Sequence, residues 1–233
     1  LPLATVELKT DTTQNIEDAV RQYKYDRNPI DVATKQPEPL LSFGQRALVH
    51  FAVSTDEVRM ATKLAGAATR FLPLHRGNPD GMGGAGEGNP PDDKLGYSTG
   101  YLWHEVFHPD AWLAVMGKFL SVELSEHKDA KGKKVFNTSL LFPRYHQWDA
   151  VNKLLNATLA EGVGHTYLVQ HSAGSGKSNT IGWLAHRLAS LHDVKDQKVY
   201  SSVIVITDRR VLDSQLQDTI YQFDHQRGVV EKI

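Results

Sequence analysis

His171–Ser178 reads HSAGSGKS and follows a short apolar run, Thr166–Gln170 (TYLVQ). A strand leading into a glycine-rich loop, with a helix opening at the lysine, is the arrangement that cradles phosphate groups. Gly174 and Gly176 admit backbone torsions closed to other residues, so successive N–H groups can turn inward onto phosphate oxygens. The helix that follows adds the partial positive charge of its N-terminus. Ala173, Gly174, Ser175 and Gly176 supply the cradle. Lys177 has the reach for β- and γ-phosphates, and Ser178 offers a hydroxyl to Mg²⁺. His171 stands where the general pattern GxxxxGK(S/T) has glycine, so the strict form is missed at one position. The loop predicts binding of a nucleoside triphosphate, ATP with Mg²⁺.

Upstream, Phe142–Val151 reads FPRYHQWDAV, and Tyr145–Leu159 has the pattern of a helix. A glutamine amide can pair donor and acceptor with the N6/N7 edge of adenine, so Gln147, just before the loop strand, favours ATP over GTP. Downstream, Ser178–Leu191 reads as a helix, Val203–Thr207 as a buried strand and Val211–Phe223 as an amphipathic helix. The strand opens the stretch VIVITDRRVLDSQL, and its tip carries Thr207, Asp208 and Arg209. In a nucleic-acid motor such a tip faces backbone phosphates, which makes Thr207 and Arg209 candidate DNA contacts. Alternating strands and helices predict a parallel, doubly wound α/β sheet.

The first block is organised differently. Leu3–Leu8 reads as a strand, and Thr12 or Thr13 can cap a helix bearing Ile16, Ala19, Val20 and Tyr23 on one face, ended by Pro29. Ala47–Ser54 reads as a second strand, and a turn at Thr55–Glu57 leads to a partner around Val58–Thr62. Arg76–Gly100 holds eight of the eighteen glycines and Asn89-Pro90-Pro91, and is expected to be a mobile loop. Pro109–Val122 carries a helical stripe of Trp112, Val115, Met116, Phe119 and Leu120. Lys128–Lys134 (KDAKGKK) is a basic turn suited to a domain boundary or to DNA phosphates. The expected domains are 1–75, 76–134 and 135–233.

Composition limits the rest. Hydrophobic residues at 40% and charged residues at 23% are ordinary for a globular chain. Without cysteine there is no disulfide or thiolate metal site, which fits the cytoplasm. No run approaches the ~20 apolar residues of a membrane span. A net charge of −1 gives no global pull toward nucleic acid. The opening LPLATVEL resembles neither a start nor a signal, so the sequence reads as a piece of a longer protein.

The RYHQWDAV helix, the AGSGKS loop and the VIVITDRRVLDSQL segment together resemble the first motor domain of superfamily-2 helicases and translocases. In wording they are most similar to the restriction (R, HsdR) subunit of type I restriction enzymes. TVELK followed by IEDAVRQYKYDR resembles the end of that family's nuclease domain, and FLPLHRG and YLWHEV resemble its connecting region. The resemblance implies a partial α/β PD-(D/E)xK-like nuclease domain followed by an incomplete RecA-like domain with a parallel sheet. It also implies ATP-driven translocation on double-stranded DNA and cleavage, with modification (methyltransferase) and specificity subunits as partners.

Glu7 and Lys9 leave one strand on the same face. There a carboxylate can hold a metal while an ammonium positions the attacking water. Carried over, the nuclease residues are Glu7, Lys9 and Gln22, with Glu7 as metal ligand. Gln22 is followed four residues on by Asp26 where the family has tyrosine, with Tyr23 and Tyr25 nearby. The family's metal-binding aspartate is expected upstream, and the acidic motor box and second motor lobe downstream.

Other readings compete. A superfamily-2 helicase or remodeller without a nuclease role would carry the same loop. His104, Glu105 and His108 (HEVFH) match the H-E-x-x-H of zinc proteases, which needs a continuous helix to bring both imidazoles to one metal. Gly81–Gly86 (GMGGAG) matches a dinucleotide-binding pattern but lacks the preceding strand and following helix. A nucleotide-binding assembly piece without turnover is the non-enzymatic alternative.

Overall fold

The computed structural model describes residues 2–10, 12–78, 88–128, 132–207, 216 and 219–221. The chain is mixed α/β with small sheets, and it divides into two compact units, Leu1–His146 and Gln147–Ile233.

In the first unit β1 (Ala4–Leu8), β2 (Val49–Val53), β3 (Val58–Ala61) and β4 (Leu72–Pro73) form one sheet in that order. β1 runs parallel to β2, and the other pairs are antiparallel. Between β1 and β2 lies α1 (Ile16–Tyr25), which buries the stripe Ile16, Ala19, Val20 and Tyr23 against Ala52 and Leu64. Its cap is Asn15 rather than Thr12 or Thr13. The Asn15 side chain accepts from the amides of Glu17 and Asp18, and Asp18 accepts from the Asn15 amide, so both ends of a capping box are closed.

All five residues of β2 are buried because it is an inner strand covered on both faces. Ala52 meets α1, and on the opposite face Phe51 meets the rings of Phe107, Trp112 and Phe142 at 5.4, 6.5 and 6.0 Å. Trp112 belongs to α2 (Pro109–Lys118), which ends before the predicted stripe does. From Ser121 the chain turns instead into β5 (Ser121–Lys128), paired along its length with β6 (Lys134–Leu141). The basic stretch at 128–134 therefore joins two strands.

The segment entering this region is held by Asp92. Its Oδ1 accepts from the amides of Lys94 and Leu95, and its Oδ2 lies 3.2 Å from His104 Nε2. Gly100 passes so close that a Cβ there would meet Asp92 Oδ2 at 2.6 Å. Residues 79–87, which include the GMGGAG pattern and part of the predicted mobile loop, lie outside the described residues.

The second unit contains α3, which begins in the first unit (Tyr145–Glu161), and α4 (Lys177–Ala189). The parallel sheet predicted here is absent among the described residues. Residues 166–170 and 203–207 carry no ladder, and one bridge pairs His192 with Lys198. β-branched composition favours extension, but a strand exists only where a neighbour takes its backbone groups. Leu168 and Ile206 are 92% and 87% exposed, as unpaired runs leave them. Most of the predicted helix 211–223 lies outside the described residues.

Two outcomes follow from the first unit's packing. Burial of His50 lowers its pKa to about 4, against ~6.5 in an unfolded chain. The native state then binds fewer protons, so its stability is complete above pH ~6.5 and falls as pH drops toward 4, by about 3 kcal/mol in all. Urea midpoints measured from pH 7 to 4.5 should fall accordingly, and His50→Gln should flatten the slope. Gly100→Ala should cost about 1–3 kcal/mol through its collision with Asp92, read as a lowered denaturation midpoint.

Candidate phosphate-binding site

The loop 171–176 enters α4 through Gly176, whose φ of 81° is left-handed, as is that of Gly174 at 74°. Only glycine holds such torsions without strain. No side chain caps α4. The amides of Asn179 and Thr180 reach the Gly176 carbonyl, whereas those of Lys177 and Ser178, at the first two helical positions, have no intrahelical acceptor. An anion at that end meets donors and the positive pole of a helix thirteen residues long.

Lys177 lies folded onto the loop. Its Nζ donates to the carbonyl of Ser172 at 2.9 Å and to that of His171 at 3.4 Å. The side chain is exposed, so a phosphate can draw the ammonium away from these neutral acceptors. His171 is held below its usual pKa by partial burial and then by the Lys177 charge, which keeps the imidazole neutral beside the loop. Ser178 sits on the first turn of α4, where a hydroxyl can reach a cation bound to phosphates. These residues fit a magnesium–triphosphate.

Gln147, on α3, is brought to the same loop but in an unpredicted way. It is 4% exposed, and its Nε2 donates to the carbonyls of Gly176 at 2.9 Å and Ser175 at 3.3 Å. The amide touches the cradle itself.

The predicted nuclease residues lie in the first unit. Glu7 Oε1 pairs with Lys9 Nζ at 3.3 Å, and Oε2 with Arg27 Nη2 at 3.0 Å. Arg27 stands twenty residues away in sequence, and no spacing pattern signals it. Backbone hydrogen bonding places it, because the Gln22 carbonyl accepts from the amides of both Asp26 and Arg27. The Gln22 Oε1 is buried with no hydrogen-bond partner. Of the nearby tyrosines, Tyr23 turns inward, its hydroxyl 2.8 Å from that of Thr5, and Tyr25 is exposed. Thr5 is also 2.8 Å from His50 Nδ1, so a buried polar chain lies two residues from Glu7 on the same strand. With one carboxylate, both of whose oxygens are ion-paired, the described residues do not by themselves make a divalent-cation site.

The HEVFH stretch is not a continuous α-helix. Leu102–Val106 forms a single π-turn. His104 faces Asp92 and Glu105, and Glu105 is in turn paired with Arg76 and Tyr145. His108 lies against Asp110 instead. No group of three His, Cys, Asp or Glu that could hold a metal occurs among the described residues, so the zinc set does not assemble. Thr207 is half-buried in extended chain, and Arg209 lies outside the described residues. No described helix is long and apolar enough to cross a membrane.

Comparison with known proteins adds one finding. Residues 146–232 match the family model described as SWI2/SNF2 ATPase. No curated protein and no solved structure matches the chain. The matched stretch contains Gln147 and the whole phosphate loop, and it supports a superfamily-2, helicase-like ATPase.

Proposed function

We propose that this chain is part of the translocating restriction subunit of a type I restriction–modification enzyme, working in the cytoplasm. In the whole protein it would bind ATP with Mg²⁺ to drive translocation on double-stranded DNA and cleavage, beside modification (methyltransferase) and specificity subunits. The observation that carries the nucleotide half is the uncapped start of α4, set behind two left-handed glycines with Lys177 at hand.

The chain's own residues divide the work. The amides of Lys177 and Ser178 would hold phosphate oxygens, Lys177 Nζ would leave the Ser172 carbonyl for the β- and γ-phosphates, and Ser178 would hold Mg²⁺. The cation, when bound, neutralises phosphate charge. Thr207 and Arg209 are the proposed contacts to the DNA backbone.

The restriction half rests on the resemblance of the TVELK and IEDAVRQYKYDR segments and of Glu7, Lys9 and Gln22. No cleavage step is assigned to these residues as they stand. The pairing of Glu7 with both Lys9 and Arg27 favours a second reading, a superfamily-2 DNA helicase or remodeller without a nuclease role.

Lys177→Ala should weaken Mg²⁺–ATP binding by ~100-fold in titration calorimetry, since a charge-assisted contact is lost. Unchanged affinity would overturn the nucleotide reading. In the whole protein, Glu7→Gln should abolish DNA cleavage and leave ATP-driven translocation intact. Retained cleavage would favour the remodeller.

A further inference from the structure

We propose that Gln147 is a positioning residue that braces the phosphate loop from beneath, and that it does not read the base. The inference rests on the loop being a triphosphate site.

Peptide geometry carries it. The Gly176 carbonyl and the Lys177 N–H belong to one planar peptide group, and so do the Ser175 carbonyl and the Gly176 N–H. No peptide bond here is cis. In a trans peptide the carbonyl and N–H point in opposite directions, so an amide that draws both carbonyls toward α3 turns both N–H groups away from it. Gln147 Nε2 makes those two contacts, at 2.9 and 3.3 Å. The brace thus presents the Gly176 and Lys177 amides on the side of the loop remote from Gln147.

The same contacts use up the amide's donors. A carboxamide nitrogen has two N–H groups, and the two loop carbonyls take both. Reading adenine needs a donor for N7 together with the oxygen accepting from N6. Gln147 can supply that donor only by releasing a loop carbonyl. Gly176 reflects the close approach: a Cβ there would lie 2.5 Å from Nε2, in addition to being strained at a φ of 81°. Glycine at this position serves the brace as well as the torsion.

The test measures binding of ATP, GTP and inorganic tripolyphosphate, each with Mg²⁺, to the 233-residue chain. Gln147→Ala should weaken all three alike, by ~10-fold, because the loss of about one hydrogen bond's worth of preorganisation falls on the phosphate site. Gln147→Glu, of the same shape but without an N–H, should do the same while the circular dichroism spectrum and melting temperature stay near wild type. Loss confined to ATP, with tripolyphosphate unchanged, would make Gln147 a base reader and overturn the brace. Unchanged binding of all three ligands would overturn it too. Failure of the wild-type chain to bind any of them would instead overturn the underlying triphosphate reading.

Discussion

One buried amide governs the arrangement of the phosphate loop. Gln147 donates to two consecutive loop carbonyls, and Lys177 donates to two more at the loop's start. A loop of left-handed glycines has little intrinsic preference for one shape, and each glycine carries a large entropic cost of ordering. Side-chain donors that gather the carbonyls offset that cost while leaving amides for an anion. The two donors differ in mobility. Gln147 is buried and fixed, whereas Lys177 is exposed and can change partners. The fixed donor shapes the loop, and the mobile one is able to follow the ligand.

The first unit spends its buried polarity differently. Thr5, Glu7 and Lys9 share one face of β1, and each is tied to another group: Thr5 to Tyr23 and His50, Glu7 to Lys9 and Arg27. The Lys9 side chain is 6% exposed and that of Glu7 18%. An ion pair so far removed from water gains little net stability, since desolvation offsets attraction. Removing either partner, however, leaves a buried charge uncompensated. The pair therefore fixes side-chain geometry on this strand more than it stabilises the fold. Arg27 completes the row on its solvent side, placed there by the Gln22 backbone at the end of α1.

Local chemistry was legible in the sequence, and long-range placement was not. The glycines of HSAGSGKS and the helix opening at Lys177 followed from torsional need and helix polarity, and the apolar stripe of α1 from its period. Asn15 was passed over as a cap because Thr12 and Thr13 offered similar chemistry a few residues earlier. The π-turn at Leu102–Val106 has no periodic signature of its own, so HEVFH could be weighed only as helix or corner. TYLVQ and VIVIT have strand composition, yet strands depend on partners that composition does not name. Arg27 reaches Glu7 across twenty residues through the fold of α1 back onto β1, a relation absent from any spacing rule. Gln147 was singled out correctly as a residue of the loop's surroundings. The carbonyls it meets depend on backbone direction, which sequence pattern does not encode.

The two candidate sites differ in how far their own residues go toward chemistry. At the loop, an incoming anion meets amides without intrahelical acceptors and a lysine held only by neutral carbonyls, so little must be undone before it binds. At Glu7, a cation would have to displace two positive side chains from a carboxylate that has no second carboxylate beside it among the described residues. Coulomb's law makes those displacements costly where the groups are shielded from water, because the competing charges act over about 3 Å in a medium less polar than water. The loop is thus prepared for its ligand by the residues at hand. The carboxylate is prepared for its two cations, and any metal there would need ligands that rearrange this row first.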